Sequence, residues 1–72
     1  MQFFFVKNDE NNFLTGVDID GNPSFSENYD DAIWSRHENV IDLIIGVNSL
    51  SNVQKISADT SGGNNPPQKP GF

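Results

Sequence analysis

Apolar residues fall in short runs along the chain, and only one run has sustained helical spacing. Between Ser35 and Leu50, Val40, Leu43, Ile44 and Val47 recur at i, i+3, i+4 and i+7, with Ile41 and Ile45 widening the stripe. Asn39, Asp42 and Asn48 take the opposite side. Ser35-Arg36-His37-Glu38 has the S-x-x-E form of a capping box. In that form Ser35 accepts from a free N–H of the first turn, and Glu38 reaches back to the N–H of Ser35. The pattern predicts a helix over 36–48. Gly46 inside it costs about 1 kcal/mol relative to Ala. It marks either a close crossing over a sheet or the start of the helix end, with Asn48-Ser49 as the stop.

The remaining apolar runs are strand-like. Phe3 to Val6 is apolar at every position, which suits a central strand. It ends in Lys7-Asn8-Asp9-Glu10-Asn11-Asn12, rich in turn formers. Phe13 to Ile19 alternates, with Phe13, Thr15, Val17 and Ile19 on one side and Leu14, Gly16 and Asp18 on the other. Asp20-Gly21-Asn22-Pro23 is a second turn. Phe25 suits a short edge segment, Ser26 to Asp31 one helical turn, and Ala32-Ile33-Trp34 a brief pairing segment before the cap. Val53 to Ala58 is a final strand, with Val53 and Ile56 facing inward. From Asp59 the chain turns to Gly, Asn and Pro. Nothing apolar there offsets ordering entropy, so a disordered tail over 59–72 is expected.

The expected fold class is α+β. A small antiparallel sheet of three to four strands carries the helix on one face, in a single domain over 1–58. Phe3 or Phe4, Phe5, Phe13, Val17, Trp34, the helical stripe and Ile56 supply one small core.

The segments Leu14-Thr15, Asp20-Gly21-Asn22, Asp31-Ala32-Ile33-Trp34 and Ser35 through Ile44 stand in a recognisable order. In that order the chain resembles a class of very short uncharacterised bacteriophage and prophage proteins of β-β-(β)-α-β type. The resemblance spans residues 3 to 58. It implies a phage-like accessory protein and brings no site residues with it.

Composition narrows the chemistry. The 72 residues hold ten acidic and four basic side chains, for a net charge of −6. Binding to nucleic acid phosphates or to an anionic membrane needs clustered Lys and Arg, which this chain lacks. An acidic surface instead suits a basic protein partner, or serves solubility alone. There is no cysteine and one histidine, so disulfides, thiolate zinc sites and multi-histidine sites within one chain are excluded. A domain this small gains stability by association, so self-association is open to it. The N-terminus has no basic region before its short apolar run, and no run approaches a membrane span. A cytoplasmic location in a bacterial host follows as an expectation.

Candidate sites are few. Asp18, Asp20 and Asn22 match positions one, three and five of a calcium loop. Pro23 stands where that loop needs Gly, and Tyr29 where it needs Glu, so the segment is expected to be a turn without metal. Ser35, His37 and Glu38 are neighbours at one helix start and do not present a triad's geometry. No catalytic residue and no cofactor are expected. Asp9, Glu10, Asp18, Asp20, Glu27, Asp30 and Asp31 form the candidate acidic contact for a partner. Phe25, Tyr29 and Trp34 are the candidate aromatic contacts. The expected function is a small acidic protein-binding module, a phage-type accessory protein that binds a host or phage protein. The alternatives are a minor structural component of a larger assembly and a calcium-binding loop domain.

Overall fold

A computed structural model describes residues 2–60 and 69–70 of the chain. Within them an antiparallel four-stranded sheet carries one α-helix on one face, as the expected α+β class requires. The strands are β1 (Gln2–Asn8), β2 (Phe13–Val17), β3 (Pro23–Ser26) and β4 (Val53–Asp59). The helix α1 spans Glu38–Val47, and a 3-10 turn spans Tyr29–Asp31. The strand order is β3-β2-β1-β4. No helix among the described residues is long and apolar enough to cross a membrane.

β1 is central because it is apolar on both sides. Phe3, Phe4, Phe5 and Val6 are all buried. β1 pairs along its whole length with β4, from Gln2 opposite Asp59 to Asn8 opposite Val53. On its other edge β1 meets β2 only at Lys7 and Phe13. The two strands then diverge, and the segment after the 3-10 turn wedges between them. Ile33 N donates to Leu14 O at 3.0 Å, and Phe4 and Ser35 exchange both backbone hydrogen bonds. The expected pairing of Ala32-Ile33-Trp34 is therefore present, and it stitches the crossover into the sheet.

Side chains alternate across β1. Phe4 and Val6 join Leu14 and Ile41 in a core beneath α1, with Ile33, Ile44, Ile45, Leu50 and Val53 packed around it. Phe3 and Phe5 point to the other face. There Phe3 meets Trp34 edge-on, and Phe5 meets Phe13 and Tyr29. The single expected core is thus two half-cores separated by the sheet. The alternation read along Phe13–Ile19 also fails. A bulge between Leu14 and Gly16 makes Thr15 the extra residue, so Leu14 and Val17 share the helix side. Ile19 lies beyond the strand and is fully exposed.

The helix starts two residues later than its capping box predicts. Ser35 cannot be the N-cap, because its backbone is already paired with Phe4. Its Oγ accepts from the N–H of His37 at 3.0 Å. His37 becomes the N-cap and makes no side-chain capping bond. The C-terminus is closed by a Schellman motif. Leu50 N donates to Ile45 O, Ser49 N donates to Gly46 O, and Ser49 takes the left-handed conformation at φ 52°. Gly46 makes no close crossing. A Cβ there would meet nothing within 4 Å.

The helix phase differs from the expected stripe by one position, about 100°. Ile41 is 1% exposed and Ile44 and Ile45 are half-buried. Val40, Leu43 and Val47 face outward at 39%, 56% and 73%. The apolar arc of α1 is about 200° wide, more than one sheet face covers. Lys55 on β4 holds the polar border of the half that goes in. Its ammonium donates to Glu38 and, at 2.7 Å, to Asp42, two residues one turn apart that border Ile41 and Ile45.

Candidate functional site

Both hairpin turns are the same turn. In the first, Asn8 Oδ1 accepts from Glu10 N and Asn12 N, Asn11 is left-handed at φ 64°, and Asn8 N donates to Asn12 O. In the second, Asp18 Oδ1 accepts from Asp20 N and Asn22 N, Gly21 sits at φ 86°, and Asp18 N donates to Asn22 O. The Asx side chain replaces a backbone acceptor and fixes the loop. One oxygen of Asp18 is therefore committed to its own turn rather than turned toward an ion. No group of three or more His, Cys, Asp or Glu that could hold a metal occurs among the described residues.

All seven acidic candidates are exposed, but they do not form one patch. Successive turns of an antiparallel meander lie at opposite ends of the sheet. Asp9 and Glu10 therefore stand apart from Asp18 and Asp20. Asp9 and Glu10 share a hollow of about 350 Å³ with Phe25, Ser51 and Asn52. Phe25 is half-buried there and also packs on the helix-side core.

Glu27, Asp30 and Asp31 lie along the crossover beside Tyr29. Asn28 caps the 3-10 turn, its Oδ1 accepting from Asp30 N at 3.2 Å. Ser26 Oγ donates to Asp31 Oδ2 at 3.1 Å. Tyr29 is held edge-on to Phe5 and Phe13 at 5.4 and 5.3 Å. Burial raises its phenol pKa above the usual value, and its Oη has no hydrogen-bond partner among the described residues. One described part of the C-terminal segment comes back to this site. Lys69 Nζ lies 4.9 Å from the centre of the Tyr29 ring and donates to Asp30 O at 3.0 Å. Of the stretch 59–72 expected as a disordered tail, residues 59–60 and 69–70 are described. Asp59 belongs to β4, paired with Gln2, and Lys69 and Pro70 are half-buried. Residues 61–68, 71 and 72 lie outside the described residues.

Trp34 lines an open groove of about 480 Å³ with Ala32, Ile33, Ser35, Arg36 and His37. Ser35 and His37 meet there only through the backbone N–H of His37, so they form no nucleophile–base pair.

Two features escaped the sequence reading. Val40, Leu43 and Val47 form an apolar stripe on the solvent side of α1. Its signal was present, since six of the helix's ten residues are aliphatic and one sheet face cannot cover them all. The other is the Lys55 clamp, which pairs residues 17 and 13 positions apart and has no local signature.

The clamp gives a pH test. Its hydrogen bonds to Asp42 and then to Glu38 raise the Lys55 pKa above its usual 10.5. A raised ammonium pKa stabilises the fold fully below the unfolded value, and the gain disappears as pH rises through the folded value. The raised Tyr29 phenol acts in the same sense. Urea midpoints should hold steady up to pH about 10 and fall above it, and Lys55→Met should flatten the fall without abolishing it.

No protein family profile matches the sequence, and no curated protein or solved structure matches it significantly.

Proposed function

We propose that this protein is a small acidic protein-binding module, a phage-type accessory protein that docks on a host or phage protein through the solvent face of α1. The observation that carries the reading is the stripe of Val40, Leu43 and Val47, exposed by 39%, 56% and 73%. Single exposed aliphatics are ordinary, but a stripe aligned on one helix face fits a groove on another protein. Gly46 borders it and adds no side chain to hold a partner off.

The partner's contact surface is apolar with a basic rim. The net charge of −6 supports that choice, because it favours a basic partner and opposes a second copy of this chain. The exposed carboxylates at three separate places steer the approach rather than form the contact. An assembly built from many copies would use the same stripe against that repulsion, and is the weaker reading for it.

The test starts with a partner captured from host lysate and purified. Leu43→Ser with Val47→Ser should weaken binding by tenfold or more while the urea midpoint stays near that of the parent, since both side chains are exposed. Association should slow as salt rises. Binding that is indifferent to the paired serine variant would remove α1 as the docking face. Sedimentation showing a stable oligomer at micromolar concentration would favour the assembly reading instead.

A further inference from the structure

The seat of Lys69 is made of groups that recognise any suitably presented lysine. Its ammonium rests over the face of Tyr29 and donates to the Asp30 carbonyl. The ring is fixed beforehand by edge contacts to Phe5 and Phe13, so the cation meets a preformed surface. Glu27, Asp30 and Asp31, all exposed, flank Tyr29 in sequence. Nothing in these contacts depends on Lys69 belonging to the same polypeptide. It is 39 residues from Asp30 in sequence and arrives as a ligand would.

We propose that Tyr29 and Asp30 form a lysine-binding site for an extended lysine–proline segment, and that the chain's own Lys69–Pro70 occupies it in cis. Proline after the lysine holds the lysine backbone extended, which presents the side chain at low entropic cost. The site lies on the sheet face opposite α1, so it is separate from the docking stripe. The occupant is tethered to β4 by the short run from Thr60 to Lys69. A tether of that kind supplies an effective concentration on the order of millimolar. A weak site is then largely filled by its own chain, and a partner's lysine–proline segment must displace it.

The experiment compares amide NMR spectra of the full chain and of full-length Lys69→Ala. The amides of Tyr29, Asp30 and Asp31 should shift in the variant. A synthetic peptide Pro-Pro-Gln-Lys-Pro-Gly should move them back toward the parent positions and saturate. The parent should need roughly tenfold more peptide, because its site is already occupied. The same peptide with methionine for lysine should do nothing. Unshifted Tyr29–Asp31 amides in Lys69→Ala would overturn the occupancy in cis. No response of the variant to the lysine peptide, or an equal response to the methionine peptide, would overturn the lysine site itself.

Discussion

Phe5→Ala should remove a large share of the fold's stability and lower the urea midpoint steeply. Phe5 is 5% exposed, in the middle of the central strand. Its ring touches Phe3, Phe13 and Tyr29, with centroids 6.1, 5.8 and 5.4 Å away. Truncating a buried phenylalanine costs about 3–5 kcal/mol, as lost transfer energy and as the cavity left behind. Single domains hold about 0.05–0.15 kcal/mol per residue, so the loss approaches the whole stability of so short a chain. The neighbours cannot close the gap cheaply. Phe13 and Phe3 are fixed by strand pairing, and Tyr29 by the 3-10 turn. Fluorescence of Trp34, which leans edge-on against Phe3, reports the transition. Ile19→Ser is the matched control, since Ile19 is fully exposed and should leave the urea midpoint in place. Equal midpoints for the two variants would mean that the aromatic face carries none of the fold.

Much of this architecture is legible in local pattern. The unbroken apolar run Phe3–Val6 reads as a central strand, and β1 is one. The turn formers after Lys7 and around Gly21 mark both hairpin turns, where Asn11 and Gly21 take positive φ. Asn48-Ser49 marks the helix end, where Ser49 turns left-handed. What local pattern missed was set by partners distant in sequence. Ser35 has the right spacing for a cap, yet Phe4 takes its backbone first. Thr15 sits in an alternating run, yet the edge strand's register makes it the bulge. Lys69 lies in a stretch with nothing apolar to bury, but a cation can dock on an aromatic face without an apolar side chain.

The candidate acidic site illustrates the same division. Exposure of Asp9, Glu10, Asp18, Asp20, Glu27, Asp30 and Asp31 follows from composition and turn chemistry. Their grouping follows from topology, which a list of charges does not contain. The antiparallel meander sends the first two turns to opposite ends, and the crossover acids stand beside the Tyr29 ring that Lys69 covers. An acidic chain can therefore offer several small electrostatic sites rather than one patch. The Tyr29 seat differs from the others because a cation is already in it.

Ile41→Ala should cost about 2–5 kcal/mol, whereas Leu43→Ala should change the urea midpoint little. The two residues are two positions apart on the same helix and are isomers, and their helix propensities differ by only about a few tenths of a kcal/mol, far less than the expected gap. Their surroundings do. Ile41 is 1% exposed and closes the core formed by Phe4, Val6 and Leu14. Leu43 is 56% exposed on the outer stripe. Ile44→Ala should fall between them, because Ile44 is half-buried beside that core. The ranking tests the helix phase, and through the phase it tests the clamp. If Lys55 chooses the buried half by holding Glu38 and Asp42, Lys55→Met should narrow the gap between Ile41→Ala and Leu43→Ala. A double-mutant cycle of Lys55→Met with Ile41→Ala reads that coupling directly. A larger cost for Leu43→Ala than for Ile41→Ala in the parent background would place the helix in the other phase, and would return Val40, Leu43 and Val47 to the core.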